Sequence, residues 1–188
     1  MENLNFTELS VLDWIQTHLQ CAFLDGFFAF ITHLGDAGLF WIALAVVLLI
    51  FKKTRKTGLM MGLSLIMGLL VCNMTLKPLV ARIRPYDLNS SVSLLIDKPH
   101  DFSFPSGHTQ ASFGGAMVLF FRDKRWGSAA VCLAVLIAFS RLYLYVHYPT
   151  DVLTAAVLGT LFAYLSIRIV DGLFKKFSKN TNTIAELK

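Results

Sequence analysis

The first 51 residues contain no lysine and no arginine, although they carry Glu2, Glu8, Asp13, Asp25 and Asp36. A secretory leader needs a basic start before its apolar stretch, so no cleaved leader is expected. Nor is there a basic arm for nucleic acid at that end. Cysteine is scarce too: Cys21, Cys72 and Cys132 are odd in number and form no CxxC pair, so neither a disulfide nor a thiolate metal site is expected. Charge is thin throughout, with 15% of the 188 residues charged against 55% hydrophobic. That balance excludes an ordinary soluble domain and a disordered chain, leaving a single integral membrane domain.

What is present are five apolar runs, at about 34–51, 57–76, 106–121, 126–146 and 152–170. They approach the ~20 residues needed to cross ~30 Å of hydrocarbon. The third is short, and the fourth ends on Arg141 and His147, where function rather than solvation is to be suspected. The predicted fold is all-α: a polytopic membrane helical bundle of five transmembrane helices with an amino-terminal interfacial helix. Residues 1–33 form the interfacial region, 34–170 the transmembrane domain and 171–188 a basic tail. The interfacial helix rests on the helical spacing of Leu9, Leu12, Ile15, Leu19 and Phe23, with Trp14 suited to the headgroup layer. Gly58-x3-Gly62 and Ala111-x3-Gly115 predict close helix packing. Phe102, Phe104, Tyr143, Tyr145 and Tyr148 predict an aromatic interface belt, some of whose rings can line an acyl or prenyl groove.

Basic residues set the orientation. Lys52, Lys53, Arg55 and Lys56 follow the first span, Arg122, Lys124 and Arg125 the third, and Arg168, Lys175, Lys176, Lys179 and Lys188 the fifth. With five crossings, 12 of the 17 basic residues share one side, which the positive-inside rule makes the cytoplasm. The amino terminus then lies outside and the carboxyl terminus inside. The net charge of +5 belongs to these loops and the tail, and no nucleic-acid partner is expected. Lys77, Arg82, Arg84, Lys98 and Arg141 remain for the outer side and need another reason to be there.

Three polar clusters stand at the outer ends of the spans. Lys77 and Arg84 are seven residues apart, close to two helical turns, so they can share a face; Pro78 should kink that turn and Pro85 end it. In Pro105-Ser106-Gly107-His108, Pro and Ser suit a helix start whose free N–H groups make an anion site. Gly107 lets backbone approach a ligand, and His108 can donate a proton near neutral pH. In Ser140-Arg141-x5-His147-x3-Asp151, Pro149 and Thr150 place Asp151 in the first turn of the last span, where it can hold one nitrogen of His147. Each cluster alone has a plain reading: snorkelling cations, a helix cap, a buried Arg–Asp pair with a bystander histidine. Together they bring three cations, two histidines and a carboxylate to one surface, the set that a tetrahedral phosphate needs.

On these residues the chain resembles the type 2 phosphatidic acid phosphatase family, whose pattern is K-x6-R-P, then P-S-G-H, then S-R-x5-H-x3-D. The positions are met by Lys77, Arg84, Pro85, Pro105, Ser106, Gly107, His108, Ser140, Arg141, His147 and Asp151. The resemblance implies a helical membrane phosphatase that uses no cofactor and no metal and works through a phosphohistidine. It implies that His147 attacks phosphorus, Asp151 orients it and His108 protonates the leaving oxygen. Lys77, Arg84 and Arg141 would bind the phosphoryl oxygens with Ser106 and the Gly107 N–H. Opposite protonation states in the two histidines predict a bell-shaped pH profile. Arg82 and Lys98 fall outside the pattern; attraction of anionic substrate or headgroups is one reading, and plain surface roles are expected. The compact shape is similar to undecaprenyl diphosphate phosphatases, which implies a polyprenyl diphosphate substrate; phosphatidic acid or phosphatidylglycerophosphate is the alternative. A catalytically silent lipid-binding protein is a further one, opposed by intact Lys77, His108, His147 and Asp151. The expected partners are the lipid phosphate and membrane lipids, with no obligatory protein.

Overall fold

In lipid every backbone N–H and C=O must be satisfied within its own segment, so the apolar runs are constrained to be helices. The computed structural model describes the backbone of residues 2–186 and the side chains of residues 5–176, and it is helical with no strand among the described residues. Helices α1 (Glu2–Leu19) and α2 (Ala22–His33) lead through a 3-10 turn, Asp36–Gly38, into α3 (Leu39–Ile50). Then follow α4 (Arg55–Gly68), a π-helical segment Leu69–Leu76, α5 (Lys77–Val80), α6 (Pro85–Leu88), α7 (Gly107–Arg122), α8 (Lys124–Tyr143) and α9 (Pro149–Glu186). Side chains of the basic tail beyond Lys176 lie outside the described residues.

Three helical stretches are long and apolar enough to cross a membrane: Arg55–Leu88, Lys124–Tyr143 and Pro149–Lys176. The α2 helix and the Asp36–Ile50 helix add a fourth if this pair, bent by 40°, is one span. The bend falls where Ala37 and Gly38 adopt φ of 48° and 68°, the left-handed region that reverses a helix. The run at 106–121 is present as α7, whose 16 residues make a rod of about 24 Å.

Helix α7 is the element around which the others gather, because its small residues admit close neighbours. A Cβ on Gly115 would lie 2.5 Å from the Trp41 ring of α3, and one on Gly159 of α9 would lie 2.6 Å from the Gln110 carbonyl. Trp41, fully buried, donates its indole N–H to Ser112 at 3.0 Å. The two small-residue motifs divide. Ala111-x3-Gly115 is a packing face as expected, and so is Gly58, whose Cβ would lie 2.8 Å from the Ala45 carbonyl. Gly62 has nothing within 4 Å of that position and borders a groove instead.

The residues set apart as an interfacial region pack on protein. Leu9, Leu12 and Ile15 of α1 are buried in one cluster with Phe28, Tyr86, Tyr143, Tyr145 and Tyr148, while Trp14 and Phe23 are exposed. The three tyrosines, read from the sequence as an interface belt, are fully buried. Two of them fasten α1 and α2 to the end of α8, Tyr143 donating to Asp25 and Tyr145 to Asp13, each at 2.6 Å, while the Tyr148 hydroxyl has no partner among the described residues. Amphipathic aromatics satisfy hydrogen-bonding tips equally well on a carboxylate as in the headgroup layer, so composition could not separate the two.

The contrast between the two glycines is testable. Gly58→Leu should lower the Tm in detergent, since the α3 backbone must move, at a cost of about 1–3 kcal/mol. Gly62→Leu should leave Tm nearly unchanged.

Candidate active site

Lys77 and Arg84 come together, but not on a continuous helix face. Pro78 has no N–H and its ring displaces the carbonyl four residues back. The turn before it opens into the π-helix, and Lys77 N–H reaches back to the Cys72 carbonyl. The helix then ends at Val80, because Ala81 takes φ 48° and ψ 40°, and Arg84 is extended before Pro85, which begins α6 rather than ending α5. The chain doubles back so that Lys77 Nζ and Arg84 Nη2 both donate to Asp101, the latter at 2.5 Å.

Ser106 caps α7, its Oγ accepting from the Thr109 N–H at 3.4 Å and the Thr109 hydroxyl at 3.0 Å. That starts the helix at Gly107 and places His108 one residue in. Its Nε2 lies 2.8 Å from Asp36 Oδ1, at the bend between α2 and α3. Arg141, in the last turn of α8, donates from Nη1 to Thr32 at 2.5 Å, while its buried Nε has no partner among the described residues.

His147 lies in the loop between α8 and α9, with Asp151 four residues on in the first turn of α9. Arg84 Nη1 is 3.2 Å from His147 Nε2. A guanidinium can only donate, so Nε2 is the lone-pair nitrogen and the ring proton sits on Nδ1. Nδ1 faces Asp151 Oδ2 and Ser103 Oγ, each at 3.5 Å, a long contact of the kind that tightens once substrate is bound. Asp151, fully buried, also accepts from Ser103 at 2.5 Å and from the Tyr148 N–H at 3.0 Å. The lone pair of His147 therefore points toward the cations.

A cavity of about 700 Å³ collects these groups: Lys77, Arg84, Gly107, His108, Arg141 and His147 line it, with Asp36, Asp101 and Lys98. Ser106 and Asp151 stand behind the wall. Asp101, outside the helices, takes the donors that a phosphate would use. Burial opposes its ionisation, but Lys77 and Arg84 outweigh that and hold its carboxyl at about 2. It is a carboxylate standing where phosphoryl oxygens can bind.

Asp36, Asp101, Ser103 and Thr32 fall outside the sequence pattern, as does Arg82, which is expected at the surface. Arg82 is buried, with Nη1 on Asp151 Oδ1 at 2.5 Å and Nη2 on Glu8. Asp36 did carry a signal, a lone acid between two apolar stretches. Glu8 carried none. Lys98 stays at the rim, 5.2 Å from the centre of the Tyr86 ring.

A profile of the PAP2 superfamily matches residues 57–175. The undecaprenyl-diphosphatase of Sulfolobus acidocaldarius is 34% identical over 151 residues, covering 80% of this chain and 72% of that protein. Undecaprenyl-diphosphatase BcrC of Bacillus subtilis is 32% identical over 148 residues, 79% of this chain and 76% of that one. The crystal structure of a transmembrane PAP2-type phosphatidylglycerolphosphate phosphatase from Bacillus subtilis superposes with a TM-score of 0.73 at 27% identity, covering 94% of this chain and 88% of that one.

Burial of His147, followed by the fields of Arg84, Arg141 and Lys77, holds its pKa well below 6.5. An imidazole can attack only when neutral, and a depressed pKa keeps His147 neutral into acid. In a profile of kcat/KM, the acid limb assigned to His147 should therefore fall below pH 6.5. A half-maximal point at or above that value would contradict this environment.

Proposed function

Since the chain belongs to the PAP2 superfamily and is a membrane lipid phosphatase, we propose that it removes the terminal phosphate of a polyprenyl diphosphate at the extracytoplasmic face, through a phosphohistidine at His147. The observation that carries this reading is the orientation of His147, with its Nε2 lone pair turned to Arg84 inside the cavity that also holds Lys77, Arg141 and His108. Substrate oxygens replace Asp101 on Lys77 and Arg84 and take the unpaired Nε of Arg141. Nε2 attacks phosphorus as the bond to the bridging oxygen breaks, and His108 supplies a proton to the leaving polyprenyl phosphate. Water, deprotonated by the now neutral His108, then cleaves the phosphohistidine and releases inorganic phosphate. The work is positioning and charge neutralisation, which is what phosphoryl transfer requires.

The lipid chain has a place to lie. A groove of about 560 Å³ shares Lys77, Asp101, Gly107 and His108 with the cavity, and runs between Ile42, Val46 and Leu49 of α3 and Gly62, Ile66 and Leu69. Ile42, Val46, Ile66 and Leu69 are also exposed on the outside of the bundle, so the groove opens toward lipid. A second reading, a glycerophospholipid phosphatase, is favoured by Gln110: its buried amide nitrogen lines the groove unpartnered among the described residues, and a fatty ester could use it whereas a prenyl chain could not. The diphosphate is preferred because it brings more negative charge to three cations and a leaving group that needs less help from His108.

In the proposed topology α7 is the third of five crossings, shielded by α3, α4, α8 and α9, with α1 lying on the outer end of the bundle. The active site then faces outward and the carboxyl terminus lies in the cytoplasm, as the 12-to-5 division of basic residues supports.

Hydrolysis of polyprenyl diphosphate and of phosphatidylglycerophosphate should be compared in one detergent, with trapping of the phosphoenzyme. His147→Ala should abolish the trapped species, and the diphosphate should show the higher kcat/KM. A tenfold preference for the glycerophospholipid, about 1.4 kcal/mol at the transition state, would move the assignment to the second reading. For the topology, a cysteine at Asn89 should react with an impermeant thiol reagent outside intact cells and one at Lys124 should not; the reverse pattern would overturn the sidedness.

A further inference from the structure

Arg82 does not border the cavity, yet every nitrogen of its guanidinium is engaged. Nη1 donates to Asp151 Oδ1 at 2.5 Å and to Thr150 Oγ1 at 2.7 Å. Nη2 donates to Glu8 and, at 2.6 Å, to Asn5 Oδ1, which also accepts from Nε at 3.0 Å. The Tyr148 ring lies 3.8 Å from the guanidinium carbon. Glu8 also accepts from the Thr150 N–H at 2.6 Å and its hydroxyl at 3.0 Å. One planar fork thus joins α1, the start of α9 and the carboxylate beside His147.

We propose that Arg82, anchored by Glu8 of α1, is a positioning residue for phosphoryl transfer: it fixes the Asp151 carboxylate, and through it the His147 ring. This rests on His147 being the nucleophile. With Oδ1 held by Arg82, and Oδ2 by Ser103 and the Tyr148 N–H, the carboxylate cannot turn about its Cβ–Cγ bond. Oδ2 stays on the Nδ1 side of His147 and keeps Nε2 aimed at the cavity. Glu8 has a second effect. When Nε2 bonds to phosphorus while Nδ1 keeps its proton, the ring becomes cationic and needs the charge of Asp151 beside it. An arginine paired with Asp151 alone would neutralise that charge. With Glu8 sharing the arginine, the Glu8–Arg82–Asp151 group keeps one net negative charge facing the ring. Glu8 of α1 in this way acts on the site through Arg82 without touching substrate.

The test uses the full-length protein in detergent, comparing Arg82→Lys, Glu8→Gln, Asp13→Ala and His147→Ala. Lysine keeps the charge of Arg82 but cannot span both carboxylates. Arg82→Lys and Glu8→Gln should each lower kcat and the rate of phosphoenzyme formation by about 10- to 100-fold, the scale of a small misplacement of a reacting group. KM and the inhibition constant for orthovanadate should stay within about threefold, since neither residue touches the phosphate. Asp13→Ala, which releases Tyr145 from α1 without disturbing Glu8 or Arg82, should keep kcat; an equal loss there would mean general loosening and overturn the inference. Loss carried by KM or vanadate binding would make Arg82 a binding residue, which also overturns it. If His147→Ala is dead while Arg82→Lys and Glu8→Gln are both normal, the inference fails alone. If His147→Ala turns over normally, the nucleophile assignment fails first.

Discussion

Holding a phosphate at the edge of hydrocarbon requires cations that are themselves held out of water, and a buried cation is tolerable only when paired or hydrogen-bonded. The rest of the site follows from that constraint. Lys77, Arg82, Arg84 and Arg141 are all buried, and each is matched by an acceptor from a different part of the chain. Asp101 serves Lys77 and Arg84, Glu8 and Asp151 serve Arg82, and Thr32 takes part of Arg141. Arg141 Nε alone among these donors is buried without a partner among the described residues.

The acceptors explain why the chain folds back on itself at the outer end of the bundle. Residues 81–106 contribute little regular helix, but they carry Arg82, Arg84, Asp101 and Ser103 to the same few ångströms as the turn before α9. Tyr145, with φ 59°, sits in a conformation unfavourable for a bulky side chain, and its hydroxyl is held by Asp13 and Asn89.

The two histidines differ in their partners, and with them in their chemistry. His147 is buried among cations with its carboxylate at a distance of 3.5 Å, so its neutral form is favoured. His108 has a carboxylate 2.8 Å away and borders the open cavity, so it has a partner for a proton-bearing ring.

The amino-acid sequence by itself determined that the chain is helical and membrane-embedded, and it placed Lys77, Arg84, His108, Arg141, His147 and Asp151 at the ends of apolar runs where charge has no other reason to be. Those are local properties: hydropathy over twenty residues, the spacing between motif residues, a proline before a helix. Tertiary structure decided the rest. Lys77 and Arg84 meet through a π turn and a left-handed alanine rather than along a helix face. Leu9, Leu12, Ile15 and the tyrosines turn into protein rather than lipid. Arg82 is an internal strut to Glu8, 74 residues away. An apolar stripe looks the same whether it will face lipid or a neighbouring helix, and an arginine looks the same whether water or a distant carboxylate will satisfy it. Only the packing of the whole chain supplies the partner.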